Sequence, residues 1–135
     1  MIFNLNLILL AADHLISGSY ALFFPKKAIS LYVKMFGATL PQSQEYYIIL
    51  RPWGALGVFA GLVGLLPVLS PEKYVLVLII LMILLSTRII YRIKFQQESK
   101  QFFHLSRQRN LFHLLLILTS MATMAIQVFY LVGLN

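Results

Sequence analysis

Four long apolar runs, about Ile2 to Phe24, Ile48 to Leu69, Tyr74 to Ile93 and Leu111 to Val132, alternate with short polar connections. A helix needs about 20 residues, at about 1.5 Å rise each, to cross roughly 30 Å of hydrocarbon, so each run is long enough to span a bilayer. The pattern predicts an all-α membrane protein with a single domain over residues 1–135, its four transmembrane helices forming an antiparallel bundle. The first run lacks a basic leader and stays apolar beyond Ala11 and Ala12, so it is expected to be a retained helix rather than a cleaved signal.

Between the first two runs the periodicity changes. Pro25 suits a first helical turn, and Ala28, Leu31, Tyr32, Met35 and Phe36 share one face, while Lys26, Lys27, Ser30 and Lys34 fall largely on the other. Gly37 supplies a stop. The spacing predicts a short amphipathic helix, either lying in the membrane interface or packed as a cap on the bundle. Ser70, Pro71 and Glu72 have the order of an N-cap, a first-turn proline and an early acid, which predicts a tight hairpin between the second and third runs. The segment from Gln96 to Asn110 is polar but carries Phe102, Phe103 and Leu105, so it should rest on the membrane or on a partner.

In the second run Gly54, Gly57, Gly61 and Gly64 recur at spacings of three and four, and Gly57 with Gly61 makes a GxxxG. Lipid offers no hydrophobic gain for helix association, so such a stripe is expected to receive another helix or a flat ligand.

Composition agrees with a lipid solvent: 60% of the residues are hydrophobic and 11% charged, more apolar surface than a soluble chain of this length can hide. The net charge is +7. Of the 11 basic residues, only Lys73 stands outside two groups. Lys26, Lys27, Lys34 and Arg51 flank the first connection, and Arg88, Arg92, Lys94, Lys100, Arg107 and Arg109 flank the third. By the positive-inside rule both groups are cytoplasmic, which puts both termini outside. No soluble domain presents these charges to nucleic acid, and anionic lipid headgroups are their expected partners.

Candidate chemistry lies in polar groups that lipid tolerates poorly. Asp13 and His14 fall near the middle of the first run, where a charge costs about 2.5–3.5 kcal/mol on insertion scales. Counted from the outer ends at about 1.5 Å per residue, Asp13 lies about 16 Å deep, Arg88 about 21 Å and Arg51 about 27 Å. Depth therefore favours an Asp13–Arg88 pair, with Arg51 as the alternative. Such a pair is either a salt bridge that orients helices or an anchor for a polar headgroup or a proton. His14 at about 18 Å and His113 at about 28 Å are awkwardly offset as two ligands of one haem iron. No HxxxH, HExxH or paired-carboxylate motif occurs, and zero cysteines exclude disulfides, iron–sulfur clusters and thiol catalysis. Asn4, Asn6, Ser17, Ser19, Thr119, Ser120, Thr123 and Gln127 form no nucleophile, base and orienter set. No catalytic residue, metal ligand or cofactor is assigned from the residues.

A first helix closing on Gly18 and Pro25, an arginine opening a glycine-rich second helix from Arg51 to Gly64, and a third helix ending in Arg88 together resemble small bacterial four-helix membrane proteins of the DoxX-like and neighbouring uncharacterised families. The resemblance runs as far as Lys94. It implies a bacterial inner-membrane location; such families are associated with accessory subunits of membrane redox assemblies, but the redox role is not carried over to this chain, whose residues after Lys94 lie outside the resemblance. The function expected from the chain is that of a structural or accessory subunit, packed against other membrane subunits or its own copies. The alternative is a protein that binds a quinone, lipid or isoprenoid among Asp13, His14, Arg51 and Arg88. A transporter lacks the inverted repeat or broken helix pair it would need.

Overall fold

The computed structural model describes residues 2–133, with side chains from residue 5 onward, so the Asn4 side chain lies outside the described residues. The elements are α1 (Ile2–Phe23), α2 (Pro25–Phe36), α3 (Gln44–Leu69), α4 (Val75–Lys94), α5 (Gln96–Phe103) and α6 (Arg107–Gly133), with no strand among the described residues. Helices α1, α3, α4 and α6 are long and apolar enough to cross a membrane. Their outer faces are dominated by large apolar side chains such as Leu9, Trp53, Phe59, Ile83 and Phe129, all exposed.

The closest packing is between α1 and α3, and the glycines permit it. A methyl group placed on Gly18 would lie 2.6 Å from the Val58 nitrogen and 2.8 Å from the Gly54 carbonyl oxygen. One placed on Gly54 would lie 2.7 Å from the Gly18 oxygen, and one on Gly61 would meet the Ala11 oxygen at 2.9 Å and the Leu15 side chain at 2.6 Å. The stripe is therefore occupied by a helix of the same chain. At Gly64 the helices have separated, and an added methyl group would meet only Ala11 Cβ at 3.7 Å and Leu81 Cδ1 at 4.0 Å.

A second apolar cluster joins α1, α4 and α6 through Leu7, Leu78, Leu81, Leu85 and Met124. Beside it the Asn6 amide donates to Thr123 Oγ1, and Ser120 Oγ donates to Asn6 Oδ1 at 3.2 Å. Some hydroxyls bond within their own helices, Ser86 to the Met82 carbonyl at 2.8 Å and Thr119 to the Leu115 carbonyl at 2.9 Å. Among the described residues the buried Gln127 Oε1 has no hydrogen-bond partner.

Helix α2 buries Pro25, Ala28 and Ile29 and leaves Lys26, Lys27, Ser30 and Lys34 exposed. Ala28 and Ile29 pack with Ala21 of α1 and Leu50 of α3. It stops at Gly37, whose φ of 62° is left-handed and whose N–H donates to the Val33 carbonyl. The far end of α2 is held by α5 and α6: Thr39 N donates to the Phe103 carbonyl at 2.7 Å, and Arg109 donates to the Lys34 carbonyl. The first and third connections thus meet at one end of the bundle.

Three sequence expectations are corrected. Ser70 closes α3 instead of capping α4: its N–H donates to Leu66, its carbonyl accepts from Tyr74 N, and α4 begins at Val75 with no side-chain cap. Helix α3 begins at Gln44, ahead of Ile48, because the Ser43 side chain accepts from Tyr46 N at 3.2 Å and caps the first turn. Helix α6 likewise begins at Arg107, ahead of Leu111, and the polar segment before it contains the separate helix α5, which buries no residue.

Candidate functional site

Where α1 faces α4, His14 is buried, with 8% of its surface exposed. Its Nδ1 lies 2.9 Å from the Leu10 carbonyl oxygen and its Nε2 lies 3.0 Å from Arg88 Nη1. A carbonyl only accepts and a guanidinium only donates, so Nδ1 carries the proton and Nε2 receives the arginine's bond. The partners thus assign a neutral imidazole with a single tautomer.

The expected Asp13–Arg88 contact is not formed. Arg88 binds His14, and Asp13 Oδ2 comes no nearer than 4.0 Å to His14 Nδ1, with 58% of the Asp13 side chain exposed. Successive helical residues point about 100° apart at 3.6 residues per turn. His14 therefore faces α4, while Asp13 at almost the same depth faces out. Arg51 is exposed on α3 and, among the described residues, takes part in no hydrogen bond or ion pair. Of the four expected site residues, the structure joins His14 to Arg88 and leaves Asp13 on the outer side of α1 and Arg51 apart.

Several further residues join this region. The Tyr32 hydroxyl of α2 donates to the Ser17 carbonyl at 3.3 Å, one turn along α1 from Asp13. Burial pushes the Tyr32 phenol above its ordinary range, and the nearby negative charge of Asp13 adds to the shift. Arg92 donates to Asn110 Oδ1 at 2.6 Å and its guanidinium lies 5.3 Å from the centre of the Phe36 ring. The same ring lies 4.4 Å from that of His113, whose Nε2 lies 3.5 Å from the Met35 carbonyl oxygen. Sequence reasoning gives Tyr32 and Asn110 no partner, because Tyr32 reads as one residue of the apolar face of α2 and Asn110 as the end of a polar connection. A usable signal does exist on α6, where Ser120, Thr123 and Gln127 repeat at helical spacing and mark a polar stripe.

The space inside the bundle is small. A cavity of about 10 Å³ beside His14, lined also by Leu7, Ala11, Gly64 and Leu81, is about the size of one water. Among the described residues no group of three histidine, aspartate or glutamate side chains is placed to hold a metal ion. Chemically, the arrangement fixes α4 to α1 through a neutral imidazole and leaves one carboxylate open on the outer side of α1.

No protein-family model, curated protein or solved structure matches the chain.

Proposed function

We propose that the chain is a multi-pass membrane protein acting as a structural or accessory subunit of a larger membrane assembly. Its spans form an antiparallel bundle, with α2 at the cytoplasmic interface and both termini outside. The descending order of α3 partners along α1, from Gly61 at Ala11 to Gly54 at Ala21, supports opposite directions for these two helices. The bases gathered at one end support the orientation, and the resemblance to small bacterial families supports a bacterial inner membrane.

Asp13 is the observation that carries the reading. A half-exposed carboxylate midway along an apolar helix is costly in lipid. Within the chain its neighbours are committed, His14 Nδ1–H to Leu10 and Arg88 to His14. A neighbouring subunit that brings a hydrogen-bond donor or a cation to this face of α1 would remove the cost. The test is purification of the intact assembly in mild detergent. Other membrane proteins should co-purify, and Asp13→Asn should lower their recovery about tenfold, the scale of one charge-assisted hydrogen bond, while the variant chain itself stays folded. Full recovery of partners by the Asp13→Asn variant, or a chain that always purifies alone, would overturn it.

A second reading, in which a quinone, lipid or isoprenoid binds at this site, draws on the Tyr32 hydroxyl, which bonds the Ser17 carbonyl one turn along α1 from Asp13. The one-water cavity requires such a ligand to approach from the open side of α1. One enriched species in extracted lipids, lost in both Asp13→Asn and Arg88→Ala, is the outcome expected under it.

A further inference from the structure

A groove of about 390 Å³ runs along the outer face of α1 near its last turns, lined by Leu15, Ile16, Ser19, Tyr20, Phe24 and, from the first turn of α2, Lys27. Its walls are mostly apolar, yet three donors converge on it. Among the described residues, the Ser19 hydroxyl, the Tyr20 hydroxyl and the Lys27 ammonium have no hydrogen-bond or ion-pair partner, and Lys27 has only the Phe24 ring, 5.2 Å away. Ser86 and Thr119 show the alternative, since each spends its proton on its own helix. The groove holds no acidic side chain, and the adjacent Lys26 turns away from it toward the Tyr47 ring, 5.9 Å from its ammonium.

An apolar channel that ends in a cation and two hydroxyls at the end of a membrane-length helix fits an amphiphile with an anionic head. We propose that the groove binds one anionic phospholipid molecule, its phosphate held by Lys27, Ser19 and Tyr20 and one acyl chain laid along Leu15 and Ile16. A zwitterionic head would bring its own cation against Lys27 and is disfavoured. The volume lies within the usual range of about 300–1,000 Å³ for small-molecule sites, enough for a headgroup and part of one chain. Ser19 lies about 120° around α1 from Asp13 at 3.6 residues per turn, so a lipid here and a subunit at Asp13 occupy different sides of the helix. The proposal is independent of the subunit reading.

The experiment is native mass spectrometry of the full chain, delipidated in mild detergent and titrated with phosphatidylglycerol, with phosphatidylcholine of the same chains, and with inorganic phosphate. One phosphatidylglycerol should bind in preference to phosphatidylcholine, and inorganic phosphate should not displace it at equal concentration. Lys27→Ala should weaken binding about tenfold, as expected for a lost charge-assisted bond. Lys27→Arg should retain it, and Lys73→Ala in the distant hairpin should leave it unchanged. If Lys27→Ala does not fold, the paired Ser19→Ala and Tyr20→Phe substitution decides, with severalfold weaker binding expected. Equal binding of the two lipids, displacement by free phosphate, or wild-type affinity in the deciding variant would overturn the proposal.

Discussion

Gly54 and Gly64 belong to the same stripe but stand in different surroundings. A methyl group on Gly54 would fall against the main chain at Gly18, Ala21 and Leu22, whereas one on Gly64 would make ordinary contact with Ala11. Gly54→Ala should therefore lower stability by about 1–3 kcal/mol, the usual range for overpacking, and Gly64→Ala, mid-helix with room for the methyl group, should raise it by about 0.4–1 kcal/mol. Thermal unfolding of both variants in one detergent compares them directly. Arg88→Ala would leave the buried His14 Nε2 without its donor, at about 1–3 kcal/mol; the same measurement should show Arg88→Lys recovering part of the loss. The Arg88 contact also marks the limit of depth counting. Helical rise correctly brings Arg88 to the level of residues 13 and 14, but adjacent residues differ by only about 1.5 Å in depth. Direction around the helix separates them, and that is fixed by which face α3 occupies, a tertiary fact that rise alone does not contain.

At the scale of elements, α2 was legible at both ends, because Pro25 and Gly37 are local signals that act through backbone geometry. Gly37 sits at positive φ with Ser106 Cβ only 3.1 Å from where a methyl group would stand. Gly37→Ala should cost about 1 kcal/mol or more and loosen α2 from α6, which hydrogen exchange across residues 30–40 would report. Docking of α2 also predicts a pH dependence. The folded Tyr32 phenol ionises above its ordinary 10.0 because it is buried. The unfolded chain therefore loses that proton first, and this contribution to stability, complete below pH 10, declines as pH rises through the ordinary value toward the folded one. Tyr32→Phe should flatten the alkaline arm of a stability–pH curve relative to wild type. By contrast, α5 was not legible. It has eight residues, about two turns, none of them buried, too short a run for a period to stand out in the sequence. The start of α3 was readable in principle from Ser43 as an N-cap, but a start at Ile48 follows the rise in hydropathy, which marks the apolar core of a span and not its capped end.

For the whole molecule, four runs of the right length were enough to anticipate the four long helices, since length and composition are what lipid tests. The hydrogen bond from Thr39 to Phe103 places the first and third connections together without reference to charge. Single cysteines introduced into this cysteine-free chain at Lys26 and Arg107 should be labelled from the same side of the membrane, and one at Pro71 from the other. Labelling of positions 26 and 107 from opposite sides would contradict the bundle itself.

The close approach of α1 and α3 also bears on how the chain can change over time. At Gly18 and Gly54 the obstacles to a larger residue are peptide atoms of the opposing helix, and trimming a side chain there would create no room. A defect introduced at either position should yield no intragenic suppressor on the facing helix. One at Gly61 also meets the Leu15 side chain, whose shortening can relieve only part of it, because the Ala11 oxygen and Leu15 nitrogen stand at 2.9 Å as well.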